Sequence, residues 1–589
     1  MRFPMKQQDV VSVPVPEHRP VPVLDDHVAA RSGVHSFIWG ILAAGFALMF
    51  CLLSANALGI RFILGWIIGV PPIRLVPLAA QLGGAVAFAM MLRSMGFTTR
   101  IDALPNFLRA HWRQLSAFAV VAGITLSLVS VWVLRGFPNS SDEYDYLFQA
   151  QTFLAGRLWN PAPPLPDLFA FFNQWIGDGK WFSVYSPGWP LLLAAAIGLQ
   201  LPAWLASPIL AGGLLLIVLK LGLRRDGPLG AFLAVALLAV SPFFLFNAGS
   251  YFSHLPAAVA GLLFCWAAAV FLDRPAVTPA LLSGMALGAV GLIRPVDAPI
   301  FALPFVVEFL WRARIRHYCL LPVIGAAGLL FLVLLLLYNH ETLGSAVPSA
   351  GSVVRFGLSS LVDDRGHHLT LLDQLGTVAS RLVSVAEWTS PLLVLGLVAA
   401  YVRLIAQRRL SLVDLVFPSF VAVYLLIPLD GGAQYGPRYY FEGFPFLVLT
   451  LVSGLSSALN DTAQPQRTAF AWFLVFAHGV CCLLGFVFIS FWMRTLVDQR
   501  MDMYDQVREQ HLRDAIVIIR SSTSNIYPMA ARDLTRNGIA IGGPVIYVRD
   551  LPDRLDQLRR LFPERRFYIY ERDRNSATGV LRRWPGAAP

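Results

Sequence analysis

Apolar positions in this chain do not alternate with polar ones; they run nearly unbroken for roughly twenty residues at a time, the length a helix needs to cross a ~30 Å hydrocarbon core. Such runs cover 36–58, 73–95, 114–134, 203–222, 229–247, 252–272, 278–293, 296–311, 317–338, 389–407, 411–429, 438–458 and 468–492, about thirteen in all. Backbone groups in lipid must bond to one another, so each run is expected to be helical. The two shortest, 278–293 and 296–311, flank Arg294-Pro295 and can also be read as one broken hairpin. The pattern predicts an all-α polytopic membrane protein.

The polar connections divide the chain. Residues 1–33 are polar, contain Pro14, Pro16, Pro20 and Pro22, and read as a disordered cytoplasmic tail. Residues 34–492 form the multi-pass domain, with two large loops, 135–202 and 339–388. Arginines gather in the alternate short connections, at Arg93, Arg100, Arg109 and Arg113, at Arg224 and Arg225, at Arg312, Arg314 and Arg316, and at Arg403, Arg408 and Arg409. Positive charge marks the cytoplasmic side. With thirteen spans this puts the N-terminus in the cytoplasm of a plasma (inner) membrane and both large loops outside. Residues 493–589 change character: β-rich runs at 515–519, 545–548 and 567–570 alternate with helical patterns near 528–536 and 552–561. That alternation predicts a small C-terminal α/β domain on the extracytoplasmic side. Its Gly542-Gly543-Pro544 is a turn signal, and no phosphate loop is present.

Composition agrees with the membrane reading. Of 589 residues, 56% are hydrophobic and 14% charged, whereas soluble chains carry about a quarter charged. The formal charge of +11 sits largely in loops between spans, where it sets topology, and no long basic run is interleaved with aromatics. No nucleic-acid partner is expected. Cys51, Cys265, Cys319, Cys481 and Cys482 lie in or beside apolar runs without metal-ligand spacing, and read as small core residues.

Candidate chemistry gathers in three places. Loop 135–202 contains Asn139-Ser140-Ser141-Asp142-Glu143-Tyr144-Asp145-Tyr146, then Gly156-Arg157, an aromatic stretch, and Lys180 ahead of Tyr185-Ser186-Pro187-Gly188. Ser140 with Glu143 also fits a capping box at a helix start, and on spacing alone that reading outweighs catalysis. Phe169, Phe171, Phe172, Trp175 and Trp181 read first as interfacial anchors. Arg294-Pro295-Val296-Asp297 sits between two short spans, where a charge must be paired, hydrated or used. The third place is 430–442, with Tyr435, Gly436, Pro437, Arg438, Tyr439, Tyr440 and Glu442. Arg438 and Glu442 stand four apart and are expected to pair along one helical face. His254, between two spans, reads as a hydrogen-bonded interfacial residue. Asp363-Asp364-Arg365-Gly366-His367-His368 reads as a solvated turn rather than a metal site.

The order of these motifs (a span, an acidic pair opening a helix, Gly-Arg, an aromatic loop, Tyr-x-Pro-Gly, then more spans) resembles the GT-C membrane glycosyltransferases that use polyprenyl-phosphate sugars. Within that superfamily it is similar to the dolichyl-phosphate-mannose protein mannosyltransferases and the bacterial lipid A aminoarabinose transferase family. The resemblance covers roughly 114–460 and rests on Asp142-Glu143 and on Gly436-Pro437-Arg438-Tyr439-Tyr440.

The resemblance implies transfer of a sugar from a polyprenyl-phosphate donor to a glycan, lipid or protein acceptor at the outer membrane face. Asp142 matches the catalytic aspartate and Glu143 its acidic neighbour. Arg294, Arg438 and Lys180 are candidates for the donor phosphate, since guanidinium and ammonium groups suit phosphate oxygens. Tyr146, Tyr185, His254, Tyr435 and Glu442 are supporting or substrate-binding candidates. Some members of the superfamily bind a divalent metal and others do not, so no metal is assigned and the donor is the one small molecule expected. The lipid A branch carries a basic residue directly before the loop proline, where this chain has Ser186. That departure speaks against an aminoarabinose donor. A transporter or lipid flippase, and an inactive scaffold of the same fold, are the alternatives. Transporters place ionisable groups at mid-span, whereas acids here lie near span ends, as at Glu308 and Asp414.

Overall fold

A computed structural model describes residues 104–346, 371–426, 434–459, 465–521, 531–573 and 576–584, with Gly83, Ala87, Met90 and Met91. The expected tail 1–33, the run 36–58, nearly all of 73–95, the cluster at 363–368 and positions 430–433 lie outside these residues.

In chain order, α1 is Leu104–Ala110, α2 Trp112–Val133, α3 Ser141–Leu154 and α4 Gly188–Gly198. The bundle continues with α5 Ala206–Ala239, α6 Pro242–Ala248, α7 His254–Asp273, α8 Val277–Ile293, α9 Asp297–Arg312 and α10 Ile315–Leu343. Then come α11 Leu371–Trp388, α12 Pro391–Ala406, α13 Leu412–Leu426, α14 Phe444–Leu459 and α15 Pro465–Glu509. Among the described residues, five helices are long and apolar enough to cross a membrane, and five shorter helices are apolar. The surface that α10 leaves open is also apolar, with Leu330 60% and Leu337 56% exposed. Water would not tolerate such a patch, whereas lipid suits it. The chain is a multi-pass membrane protein.

One break departs from the expected runs and two interruptions fall between them, and a proline follows each of the three. The expected helix 229–247 stops at Ala239 and restarts as α6 at Pro242, because a proline cannot donate the helical hydrogen bond and crowds the preceding turn. Upstream, Gly227 leaves helical geometry at φ 70° ahead of Pro228 and kinks α5. The break between α8 and α9 has the same origin: Arg294, ahead of Pro295, is extended at φ −142°, ψ 92°.

Loop 135–202 folds onto the bundle. Its strands β1 Asn160–Pro161, β2 Gln174–Gly177 and β3 Lys180–Ser183 form an antiparallel sheet of order β1-β3-β2. Helix α3 packs against α4 and β3. After α15, which runs unbroken through position 493 to Glu509, come β4 Ala515–Ser521, α16 Ala531–Leu534, β5 Val545–Arg549, α17 Pro552–Leu561, β6 Arg566–Arg572 and β7 Val580–Arg583. Their sheet has the order β5-β4-β6-β7, with β4 parallel to β5 and β6, and β7 antiparallel to β6. Alternation along β4 sends Ile516 and Ile518 to one face and Val517 and Ile519 to the other. The first face is closed by α17 together with Leu168 and Phe169 of loop 135–202. The second is closed by Met503 and Val507 from the end of α15. The C-terminal sheet is thus seated directly on the loop that holds Asp142 and Glu143.

Candidate functional site

The site is built where several helices begin. Ser140 caps α3 with an extended backbone, and its hydroxyl accepts from the Glu143 amide at 3.1 Å. This is the N-cap device the sequence suggested. It fixes the first turn, which carries Asp142 and Glu143. Helices α7 and α9 start beside it with His254 and Asp297, so the positive ends of three helix dipoles gather at one place and favour negative charge there.

The two acids of the pair have different surroundings. Asp142 reaches the open side of the turn: Oδ1 accepts from the Tyr185 hydroxyl at 2.6 Å and from Asn173 Nδ2 at 2.9 Å. Its Oδ2 lies 2.7 Å from Nη1 of Arg438. Glu143 points inward and is fully buried. Its Oε2 accepts from the Tyr251 amide at 3.0 Å, and Oε1 from the Ser140 and Tyr435 hydroxyls at 3.2 Å each. Burial pushes the Glu143 carboxyl up to about 7, although the Tyr251 amide and the Arg500 charge oppose the shift. Such a group ties loop, helix and bundle together and is shut off from any acceptor. Burial likewise holds Asp145 well above the usual carboxylate range, with Oδ1 accepting from Gln174 at 2.8 Å. Burial and the neighbouring Asp142 carboxylate push the Tyr185 phenol up, so it remains a donor to Asp142.

A second group adjoins the first. Nε of Arg294 lies 2.6 Å from Asp297 Oδ2 and 2.9 Å from Glu442 Oε1, and Nη1 reaches Ser253 Oγ at 3.4 Å. His254 Nδ1 meets the same Glu442 oxygen at 2.7 Å, and the Tyr424 hydroxyl donates to Asp297 at 3.2 Å. The Tyr146 hydroxyl bonds Ser253 Oγ at 2.9 Å while its ring lies 4.7 Å from that of Tyr185, so Tyr146 bridges the Asp142 and Arg294 groups. Arg438 stands over the Phe252 ring at 4.5 Å and over Tyr439 at 5.6 Å, with Arg381 on Tyr439 at 5.3 Å. Burial, then the Asp297 charge, pushes the Glu442 carboxyl well up against the pull of Arg294. Three arginines, Arg294, Arg381 and Arg438, thus gather with the carboxyl groups of Asp142, Asp297 and Glu442.

Two glycines make this convergence possible. Gly436 has φ 89°, and a Cβ there would lie 2.7 Å from the Phe243 ring. A Cβ on Gly188 would lie 2.7 Å from the Leu292 carbonyl, so only glycine lets α4 approach the end of α8 beside Arg294.

Of the ten residues the sequence pointed to, nine meet here or in the adjoining shell: Asp142, Glu143, Tyr146, Tyr185, His254, Arg294, Tyr435, Arg438 and Glu442. Lys180 does not join them. Its ammonium donates to the Glu341 carbonyl at 2.6 Å and lies over Trp159 at 5.5 Å. Arg438 and Glu442 each find a partner other than the one expected, because 438–440 is a 3-10 turn and the four-residue spacing of an α-helix does not apply. Asn173, Ser253, Asp297 and Arg381 are further members. Arg381 left a signal: it stands three after Val378 and four before Val385, inside the apolar stripe of α11, and is 8% exposed. Among the described residues no three His, Cys, Asp or Glu side chains come together in a way that would hold a metal ion.

No family model and no curated protein matches the chain. Three of the solved structures that align with it are glycosyltransferases. ArnT from Cupriavidus metallidurans in the apo state aligns at 12% identity and TM-score 0.46, over 77% of this chain and 92% of that one. The Archaeoglobus fulgidus oligosaccharyltransferase in complex with zinc and sulfate aligns at 13% identity and TM-score 0.46, over 78% of this chain and 67% of that one. The arabinofuranosyltransferase AftD from Mycobacteria aligns at 15% identity and TM-score 0.38, over 78% of this chain and 35% of that one.

Proposed function

We propose that this protein is a membrane glycosyltransferase that moves a sugar from a polyprenyl-phosphate donor to an acceptor hydroxyl at the outer face of the membrane. The observation that carries the reading is the placement of Asp142. One carboxylate oxygen is held by Tyr185 and Asn173, and the other faces Arg438, with Arg294 and Arg381 in the same cluster. A base for an alcohol and cations for a phosphate are the two things this transfer needs.

In the reaction the acceptor oxygen bonds to the anomeric carbon as the bond from that carbon to the phosphate oxygen breaks. The electron pair leaves with the phosphate, and the acceptor proton passes to Asp142. Tyr185 and Asn173 fix the carboxylate so that its second oxygen faces the hydroxyl. Arg438 takes two roles in sequence. Before the donor arrives it pairs with Asp142; the donor phosphate offers it more charge and bidentate geometry, so donor binding draws the guanidinium away and releases the base. Arg294 and Arg381 then stabilise the charge that develops on the leaving oxygen. Glu143 takes no part in proton transfer and secures the turn from behind.

Apolar helices packed around the cluster are suited to a lipid-linked donor, and the motif order seen in the sequence supplies the donor class. Transfer from radiolabelled polyprenyl-phosphate monosaccharides by protein in nanodiscs tests the reading. Transfer by wild type and not by Asp142→Asn supports it, and no transfer from any donor by folded wild type rejects it.

A further inference from the structure

The first turn of α3 is held by residues from the C-terminal part of the chain. Arg500, near the end of α15, is 2% exposed. Its Nη1 donates to Asn139 Oδ1 at 2.6 Å and also to the Asn139 carbonyl, and its Nε lies 2.9 Å from Asp533 Oδ2. Arg536, just after α16, donates from Nε to the Asp533 carbonyl at 3.0 Å and from Nη1 to the Pro138 carbonyl at 2.5 Å. Its Nη2 approaches the Ser140 carbonyl at 3.5 Å. Three successive carbonyls, those of Pro138, Asn139 and Ser140, therefore face two arginines joined through one aspartate. The Arg536 guanidinium also lies over Phe137 at 4.7 Å and over Tyr144 at 5.3 Å, while the Tyr144 hydroxyl donates to the Asn537 carbonyl. Thr535 Oγ1 adds a bond to the Ala170 carbonyl at 3.0 Å.

The contacts to 137–140 and Tyr144 surround the segment that enters α3 and fix where Asp142 stands. From the bundle Gln434 donates to the Asn139 carbonyl, and among the described residues the charged donors to these carbonyls come from beyond position 493. A displacement of the turn by about 1 Å is enough to cost a reaction that depends on alignment two orders of magnitude. Buried guanidinium groups are costly to desolvate, so a pair of them on backbone carbonyls points to a positional demand rather than to cohesion alone.

We infer that Arg536 and Arg500, bridged by Asp533, are positioning residues that set the catalytic turn from the end of α15 and the stretch between β4 and β5, making the C-terminal part of the chain a working part of the active site. The inference rests on the reading of Asp142 as the base. It assigns the C-terminal residues no contact with the donor.

The test uses the full chain in nanodiscs with Arg536→Gln, Arg536→Lys and Tyr144→Phe. Two quantities are read: steady-state transfer from the polyprenyl-phosphate donor, and hydrogen–deuterium exchange of amides 141–146 compared with those of α7. Arg536→Gln lowers kcat about thirtyfold with the donor KM within twofold, and speeds exchange at 141–146 at least tenfold without changing α7. Arg536→Lys, which keeps one charged donor, recovers kcat to within about fivefold of wild type, and Tyr144→Phe lowers it about threefold. Unchanged exchange at 141–146, or an active wild type whose kcat is indifferent to all three changes, overturns the inference. A fall in kcat matched by a rise in KM and by faster exchange throughout α7 also overturns it, since that is general loosening. If wild type transfers from no donor, the functional reading fails and exchange alone decides the positioning role. If Arg536→Gln does not fold, the other two variants decide by the same criteria.

Discussion

Arg438 and Asp142 meet at 2.7 Å, so the acid that opens the helix of one loop is paired with a cation from the distant segment between α13 and α14. The pair is partly accessible, with side-chain exposures of 15% and 12%. It is protected enough for the charges to matter and open enough for a phosphate to displace one of them. Everything proposed for the reaction follows from that exchange.

Arg438→Ala is expected to weaken donor use more than acceptor use. The donor KM rises at least tenfold, in line with the ~1.5–3 kcal/mol of a charge-assisted hydrogen bond, while the acceptor KM stays within about twofold. Donor and acceptor titrations at saturating partner measure this directly. An unchanged donor KM would remove Arg438 from the phosphate site.

Tyr185→Phe deletes one of the two donors to Asp142 Oδ1. The carboxylate keeps Asn173 but loses its alignment, and kcat is expected to fall about tenfold with the donor KM nearly constant, roughly 1.4 kcal/mol of barrier. A change in KM alone would place Tyr185 in donor binding instead.

Glu143 gives a pH signature of stability. Its carboxyl holds its proton up to about 7 when folded, against an ordinary value of 4.5. Between those two values the folded state binds more protons than the unfolded one, so stability falls as pH rises through that window and levels off above it. The span corresponds to a loss on the order of 3 kcal/mol. Glu143→Gln stays neutral and still accepts from Tyr251, so its thermal stability in detergent is expected to fall less steeply from pH 5 to 8 than that of wild type, the remaining slope coming from Asp145 and Glu442. Equal slopes would show that Glu143 is not the titrating group.

Much of this site was legible in the sequence, and the limits have physical causes. Asp142, Glu143 and their N-cap are local, so spacing reveals them. Arg294 is likewise local, since the following proline forces the extended backbone that aims its side chain. The division of labour between Asp142 and Glu143 was not legible, because it depends on Tyr251 and Tyr435 arriving from distant segments. Lys180 was a candidate only as a basic residue upstream of Ser186 that could reach the phosphate, and the β2–β3 hairpin directs it to the Glu341 carbonyl instead. Arg381 was hidden in a stretch read as a connection, although its position in an apolar helical stripe marked it as buried.

Gly436→Ala tests the geometry rather than the chemistry. The residue combines φ 89° with a Cβ position 2.7 Å from the Phe243 ring, so strain and overpacking add to about 2–4 kcal/mol. A large fall in unfolding temperature, together with loss of donor dependence, is expected from displacement of Arg438. A variant with wild-type stability would show that the 435–442 segment is placed differently.

The most direct measurement is transfer from radiolabelled polyprenyl-phosphate monosaccharides to a mixed acceptor extract, comparing wild type with Asp142→Asn in nanodiscs at matched folding. The account predicts transfer by wild type and a loss of at least a thousandfold in Asp142→Asn, with donor binding retained. Full turnover by Asp142→Asn would contradict the assignment of the base, and folded wild type that transfers from no donor would contradict the glycosyltransferase reading itself.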